Sequence, residues 1–406
     1  MKLNAMLEFY AATSSMVNSK KAITECLKKA LAGQPNLDCD LIIMHTKMGH
    51  NFIDLISEAK KLSNGATIVG CSADGVIGID GPDESPRALG IMAIKGPRSE
   101  FAVAGIETMV NKDPYDACVL LAEDLKNKNP NISIIDFMPS AWDIFPADRA
   151  LESFEFVFGK EVQVFGGCAT CGMQPTNFQI LEDQVFERGA VAIGFADPTL
   201  EYHLGVSHGH VAFGAPIEVT RCEGNRIYEL NSRSSWKFIC EKLGLPDSSS
   251  FFEAGDLPAF ALELPGEVCE EIGNNHLVYV SMKIHEDGSI IYPVQIKEGE
   301  KLFWAKRDDK KIFMGANYLG KRLHDKLAGR KPVAVFHVEC GSRGSFYFNQ
   351  SEREELIRCV QVPLCGGEQI PWLGWYASGE IGPVGRKNMY LHFSVVLCAL
   401  TRINGK

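Results

Sequence analysis

A short run near the C-terminal end of the chain carries the clearest signal for chemistry. This run, PWLGWYASGEIGP from Pro371 to Pro383, combines two Trp, one Tyr, three Gly and one ionisable group, Glu380. Its aromatic rings offer rigid apolar walls with polar tips. A carboxylate in such surroundings must be paired, neutralised or offered to a ligand. The run therefore predicts either one wall of a small-molecule pocket anchored by Glu380, or a packed connection in which Glu380 caps a helix or meets a buried Arg.

Four cysteines occur in glycine-containing turns that each follow an apolar strand pattern. Open α/β sheets place ligands at turns of this kind, so the four thiols could converge. Four Cys would suit zinc or an iron–sulfur cluster, and a pair would suit thiol redox chemistry. The C-x-x-C spacing occurs only once among them, so the alternative is that they are small residues tolerated in tight turns. The four are Cys71, Cys168, Cys171 and Cys340.

An arginine and a histidine pair complete the candidate chemistry. The planar fork of Arg343 suits a carboxylate or a phosphate, so Arg343 could hold an anionic ligand group or pair with Glu380. His208 and His210 share one face of a predicted strand. Their spacing occurs in metal sites, and either ring could be an axial haem ligand. The alternative for both is an ordinary hydrogen-bonded or exposed histidine.

The elements that position these residues follow a pattern that restarts within the first half of the chain. Apolar periodicity predicts alternating strands and helices up to the turn GCSADG, and the same order leads to the turn GCATCG. We interpret this as an internal duplication of approximately residues 5–110 and 112–220. The predicted domains are 1–225 and 226–406. The predicted fold is mixed α/β, with two similar βαβαβββ-type halves, a C-terminal domain, and helices covering mixed sheets.

Composition narrows the class of protein. The chain has 406 residues, a formal net charge of −10 and 13 Cys. The acidic balance, without a Lys/Arg cluster, argues against nucleic-acid binding. We expect no membrane association, because no apolar run is long enough to cross a bilayer. With no signal-peptide pattern and an odd number of Cys, we expect a cytoplasmic protein with reduced thiols.

Five stretches together resemble one known family. They are IVGCSADGVIG (Ile68–Gly78), FGG (Phe165–Gly167), GAPIEVTRCEGNRIYEL (Gly214–Leu230), ECGSRG (Glu339–Gly344) and GWYASGEIGP (Gly374–Pro383). On these motifs the chain resembles the FIST domain proteins, in both their FIST N and FIST C parts. The resemblance extends from about residue 30 to the last predicted strand. It implies a stand-alone FIST protein.

The resemblance implies a ligand-binding sensory function. FIST domains are thought to sense small molecules, such as amino acids or their derivatives, and to pass the signal to a protein partner. Some relatives bind haem. The chain departs from the family pattern at Cys168, Cys171 and the His208–His210 pair, which could mark a specialised ligand.

We therefore expect a cytoplasmic, non-catalytic sensory protein that holds a small molecule between glycine-rich turns of both halves. The alternatives are a haem- or metal-binding sensor and a thiol-dependent enzyme, which would need a low thiol pKa at Cys71 or Cys340. No catalytic residue is assigned. The predicted ligand site is Cys71, Ser72, Ala73, Gly167, Arg343, Trp375, Tyr376 and Glu380. The candidate metal ligands, for haem, zinc or an iron–sulfur cluster, are Cys168, Cys171, Cys71, Cys340, His208 and His210.

Overall fold

The mixed α/β fold is built from one arrangement of elements that is repeated. The computed structural model describes residues 6–172, 174–254, 259–281 and 283–403. Within these residues, the order βαβαβ, then a β-hairpin, then a return strand, occurs three times. The predicted fold class, α/β with helices covering mixed sheets, is confirmed. The third copy escapes detection in the sequence because a long insertion separates its first strand from its first helix.

The first two repeats are uninterrupted. The first contains β1 (Glu8–Ser14), α1 (Ser19–Ala30), β2 (Leu41–Thr46), α2 (Phe52–Leu62), β3 (Thr67–Ser72), β4 (Val76–Gly78), β5 (Gly81–Asp83) and β6 (Leu89–Lys95). The second contains β7 (Phe101–Ile106), α3 (Pro114–Lys128), β8 (Ile134–Pro139), α4 (Ala147–Phe158), β9 (Gln163–Gly167), β10 (Phe178–Leu181), β11 (Gln184–Glu187) and β12 (Ala190–Phe195).

The third repeat surrounds the insertion. It begins with β13 (Leu200–His208). The insertion contains β14 (His210–Glu223), β15 (Arg226–Leu230), β16 (Arg233–Ser234), α5 (Ser235–Leu243), β17 (Ala259–Glu263), α6 (Gly266–Ile272), β18 (His276–Val280), β19 (Lys283–Ile284), β20 (Ile290–Ile291) and β21 (Lys301–Arg307). The repeat resumes with α7 (Asp309–Leu327), β22 (Ala334–Cys340), α8 (Gln350–Cys365), β23 (Trp372–Ala377), β24 (Glu380–Val384), β25 (Lys387–Leu391) and β26 (Ser394–Arg402).

Local sequence explains where the helices begin. The side chain of Asn18 caps α1, and that of Asn51 caps α2, each by accepting from a backbone N–H of the first turn. Asp113 caps α3, with Pro114 in its first turn. At α8, Asn349 and Glu352 form a complete capping box. Each of these helices then packs its buried residues on a sheet, which fixes the loops that follow the strands.

The three repeats exchange their hairpins in a cycle. Hairpin β4–β5 of the first repeat joins the sheet of the third, beside β23. Hairpin β10–β11 of the second joins the sheet of the first, beside β3. Hairpin β24–β25 of the third joins the sheet of the second, beside β9. Each repeat's sheet is therefore completed by a hairpin of another repeat.

Backbone hydrogen bonds close the cycle at its centre. The turns that follow β3, β9 and β23 lie against one another, and we call these turns and their bonds the turn ring. The bonds run from Thr170 N to Ser72 O (3.1 Å), from Cys168 N to Gly379 O (2.8 Å) and from Tyr376 N to Gly75 O (3.1 Å). Two more run from Ser378 N to Cys168 O and from Asp74 N to Tyr376 O, both at 3.1 Å. Every turn is thus bonded to both of the others.

The strand register corrects the sequence match between the repeats by one residue. Cys71 is the last residue of β3 that pairs with the hairpin from another repeat. Gly167 and Trp375 are the corresponding last paired residues of β9 and β23. Cys168 is therefore equivalent to Ser72, whereas the alignment of GCSADG with GCATCG equates Cys168 with Cys71. The sequence match between the two turns is therefore out of register by one residue.

The predicted division at residues 225 and 226 remains a prediction. β13 lies before it, yet pairs along its length with β26 near the end of the chain. Of the helices in the described part of the chain, none combines the length and the apolar character needed to span a membrane.

The hairpin exchange can be tested at Asn388, on β25. Its side chain accepts from Val164 N and donates to Val162 O, both at 2.9 Å, and so ties the third repeat to the second. Asn388→Ala should lower the free energy of unfolding by about 2–4 kcal/mol, because two buried backbone groups lose their partner. Urea denaturation measures this change.

The control for this experiment is Asn127→Ala on the exposed side of α3. It should change the unfolding free energy by less than about 0.5 kcal/mol. Equal effects of the two substitutions would contradict the role given to Asn388.

Candidate functional site

All three repeats contribute to a cleft beside the turn ring, which we call the junction cleft. Its volume is about 290 Å³. Its polar and aromatic lining includes Lys47, Asp74 and Glu84 of the first repeat, Cys171 of the second, and Ser345 and Phe346 of the third. A larger groove of about 820 Å³ follows α1, but its lining belongs to the first repeat alone. We take the junction cleft as the candidate site because it joins separate parts of the fold.

Asp74 connects the cleft to the other two repeats. One oxygen accepts a hydrogen bond from Gly172 N at 2.5 Å, and the other from Thr170 Oγ1 at 3.3 Å. The backbone N–H of Asp74 donates to Tyr376 O. Burial raises the pKa of the Asp74 carboxyl, although the Gly172 hydrogen bond and the Lys47 charge oppose this rise. A change at Asp74 must therefore be felt in all three turns.

Glu84 forms the wall of the cleft toward the third repeat. Its carboxylate accepts from Ser345 N at 2.9 Å and Ser345 Oγ at 2.6 Å, and it pairs with Arg353 at 2.5 Å. Two glycines leave room for the Glu84 side chain. A Cβ at Gly75 would lie 2.5 Å from Glu84 Cγ, and one at Gly344 would lie 2.9 Å from Glu84 Oε2. The close approach of the backbone at Gly75 and Gly344 fixes the position of the Glu84 carboxylate.

Lys47 and Cys171 supply the remaining polar groups of the cleft. Lys47 Nζ donates to the carbonyl oxygen of Glu84 at 2.8 Å. The thiol of Cys171 is half-buried, and burial followed by the Asp74 charge raises its pKa. A thiol of this kind is not an activated nucleophile. The cleft therefore presents one ammonium and two carboxylates, an arrangement suited to binding.

The residues of the predicted ligand site lie around the turn ring, but only Ala73 lines the cleft. Trp375 stacks on His45 with ring centroids 4.7 Å apart, and the Cys71 thiol lies 3.4 Å from His45 Nδ1. Ser72 Oγ accepts from Phe178 N. Gly167, Arg343, Tyr376 and Glu380 are buried as well. Apart from Ala73, these residues lie in the buried interior and not in the cleft lining.

Of the two roles left open for Arg343, the pairing with Glu380 is contradicted by the structure. Arg343 Nε donates to Glu339, whereas Glu380 Oε2 accepts from the backbone and the hydroxyl of Ser394 at 2.9 and 2.8 Å. Successive strand residues point to opposite faces of a sheet, so Glu339 and Cys340 lie on different sides of β22. Glu380 lies on the Cys340 side, and burial raises its pKa to about 8.

The candidate metal ligands are divided among separate contacts. Within residues 6–172, 174–254, 259–281 and 283–403, no group of three or more His, Cys, Asp or Glu could hold a metal ion. Cys340 Sγ lies 3.1 Å from Ser342 Oγ. His208 Nε2 donates to the carbonyl of His276 at 2.7 Å, and His210 stacks on Phe393 at 4.1 Å.

Sequence analysis missed the charged residues of the cleft. Asp74 lies inside the motif GCSADG, so its position after a buried strand was an available signal. Lys47 directly follows β2, and the ends of strands are the expected place for ligand groups. Glu84 and Ser345 lie in loops whose sequences carry no pattern, and only the fold brings them together.

With this geometry established, comparison with known proteins identifies the family. A FIST N domain model matches residues 40–233, and a FIST C domain model matches residues 243–383. The chain belongs to the FIST family. FIST domains are small-ligand-binding sensory domains of signalling proteins.

The individual relatives do not indicate an activity for this chain. The chain is 23% identical over 348 residues to uncharacterised proteins of two Mycobacterium tuberculosis strains, CDC 1551 / Oshkosh and ATCC 25618 / H37Rv, with 83% of this chain and 84% of each relative covered. Among solved structures, cyanuric acid hydrolase from A. caulinodans is 8% identical, with 98% and 100% coverage and a TM-score of 0.34. T. maritima PurL complexed with AMPPCP is 9% identical, with 98% and 73% coverage and a TM-score of 0.23. At these TM-scores neither structure bears on fold or function.

Thiol reactivity should follow burial. Cys71, Cys168 and Cys340 are buried, and burial raises the pKa of each thiol. In the native protein, iodoacetamide should label Cys171 well before these three, and mass spectrometry of tryptic peptides measures the order. Unfolding in urea should make the rates similar. Rapid native labelling of Cys71 or Cys340 would instead support a thiol-dependent enzyme.

Glu380 should impose a pH dependence on stability. Its pKa is about 8 in the folded protein, against an ordinary value of 4.5, so the folded state holds an extra proton between these values. Stability from this group is complete below about pH 4.5 and is lost as the pH rises toward about 8. Relative to Glu380→Gln, the wild type should lose on the order of 4 kcal/mol between about pH 5 and pH 8.

Chemical denaturation at the two pH values measures this loss, and the exposed Glu123→Gln provides the control. Parallel pH profiles for the wild type and Glu380→Gln would show that Glu380 is ionised in the folded protein.

Proposed function

We propose that this FIST protein is a cytoplasmic sensor that binds a small polar molecule in the junction cleft and signals to a protein partner. The observation that carries the proposal is the composition of the cleft, because charged groups from one repeat meet loops from the other two. Glycine-containing turns of the first and second repeats contribute Ala73, Asp74 and Gly172 to the lining of this cleft.

The chemistry of the lining limits the ligand. The volume of about 290 Å³ lies at the lower end of the range for ligand pockets, which favours a molecule of few heavy atoms. Lys47 offers a donor, and Asp74 and Glu84 offer acceptors, so the ligand should carry both kinds of group. Met48 and Phe346 are exposed at the cleft and supply apolar cover.

The turn ring connects the junction cleft to all three repeats, so binding in the cleft can affect the rest of the molecule. A ligand group that takes Asp74 as its partner competes with the hydrogen bond from Gly172 N in the second repeat. Asp74 N is bonded to Tyr376 in the third repeat. Binding would thus favour one arrangement of the three turns, and a partner protein that prefers that arrangement would detect it.

The alternatives have less support. A nucleophilic thiol needs a lowered pKa, whereas burial raises the pKa of Cys71 and Cys340. His208 and His210 are buried in protein contacts away from the cleft lining. We therefore do not extend the proposal to haem, metal or thiol chemistry.

A thermal-shift screen with small polar metabolites, followed by calorimetric titration of each hit, tests the proposal. A true ligand should bind at least about ten-fold more weakly to Asp74→Asn and to Lys47→Met, since each loses a charged hydrogen-bond partner. Lys20→Met, in the groove along α1, is the matched control and should bind normally.

Hits that bind all of these variants equally would place the ligand elsewhere and overturn the proposal. Turnover of a hit without stable binding would show that the protein is an enzyme.

A further inference from the structure

A buried polar cluster lies behind the junction cleft, between the sheet of the third repeat and its helices. Glu339 and Tyr376 are opposite each other on β22 and β23, and Tyr376 packs in the core beneath α7 and α8. Glu339 accepts from Arg343 Nε on one oxygen and lies 2.6 Å from His337 Nε2 on the other. Burial alone would raise the pKa of Glu339, but the Arg343 charge and the His337 hydrogen bond keep it below its usual range.

Part of this cluster has no partner within the protein. Among the described residues, Arg343 Nη1, Arg343 Nη2 and Tyr376 Oη make no hydrogen bond, although Arg343 is 1% exposed and Tyr376 is fully buried. Buried polar groups are almost always paired, and an unpaired charged donor is the most costly exception. These three groups therefore favour an acceptor from outside the chain.

The donors favour an oxyanion. The two Nη atoms of a guanidinium present parallel N–H groups that match two oxygens of a carboxylate or a phosphate. The neighbouring histidines add no charge of their own, because burial lowers the pKa of His208 to about 4 and that of His210 to about 3, and the Arg343 charge acts in the same direction on both. Both rings are neutral near pH 7.

Glu84 lies near both the cleft and this cluster. The carboxylate of Glu84 packs on Gly344, the residue after Arg343. The stem of Glu84 and the ring of Tyr376 both lie against Gly75. Glu84 therefore lies close to the cluster as well as in the wall of the cleft.

We propose that this cluster is a second, internal site for a small oxyanion, held by the two Nη atoms of Arg343 and by the hydroxyl of Tyr376. It is distinct from the junction cleft, because neither residue lines that cleft. The ligand would carry a negatively charged oxygen group, either a planar carboxylate or a tetrahedral phosphate.

Calorimetric titration of the wild type with sodium formate and with inorganic phosphate, at constant ionic strength, tests the proposal. At least one anion should saturate a single site, and the stronger of the two identifies a carboxylate or a phosphate class. Tyr376→Phe should weaken that binding by about ten-fold or more while the protein stays folded, because its hydroxyl has no protein partner to lose. Arg343→Lys should also weaken anion binding, since lysine lacks the paired N–H donors of the guanidinium group.

Two control variants locate the site. Tyr292→Phe removes another buried hydroxyl without a protein partner, in the insertion, and should bind the anion normally. Asp74→Asn changes the junction cleft and should weaken the binding less than Tyr376→Phe does. The proposal is overturned if neither anion saturates the wild type, if Tyr376→Phe binds as tightly as the wild type, or if Asp74→Asn weakens binding more than Tyr376→Phe.

Discussion

The structure depends on the closed ring of backbone hydrogen bonds among the turns after β3, β9 and β23. Backbone groups make these bonds, so the ring tolerates side chains as different as those of Ser72, Cys168 and Tyr376 at equivalent positions. Each hairpin leaves the ring to complete the sheet of another repeat. The junction cleft exists because the three turns must face each other, and it takes its charged groups from the loops that this arrangement brings together.

Burial governs the ionisable groups around the ring. It raises the pKa of Glu380 and of Asp136 to about 8, and it raises the pKa of the Cys71 thiol. Glu339 remains ionised because Arg343 and His337 satisfy both of its oxygens. These buried carboxyl and thiol groups are thus neutral or paired, whereas Lys47, Asp74 and Glu84 present charged groups at the cleft.

Sequence reasoning recovered the family from the motif resemblance, and it recovered the fold class because strand and helix periodicity is local. It did not recover the third repeat, whose first strand and first helix are separated by the insertion between His208 and Asp309. It also equated Cys168 with Cys71, since a short motif match cannot detect a register shift of one residue. The contacts of Glu84 with Ser345 cross 261 residues of sequence, and the fold alone brings them together.

Amide hydrogen exchange at the turn ring tests the central claim most directly. The N–H groups of Asp74, Thr170 and Ser378 represent the three turns, and each donates to a different turn. If the ring is a single closed unit, the three amides should be strongly protected and should exchange together, at the rate of global unfolding. Fast exchange of one amide while the other two stay protected would show that the turns open independently, and would contradict this account.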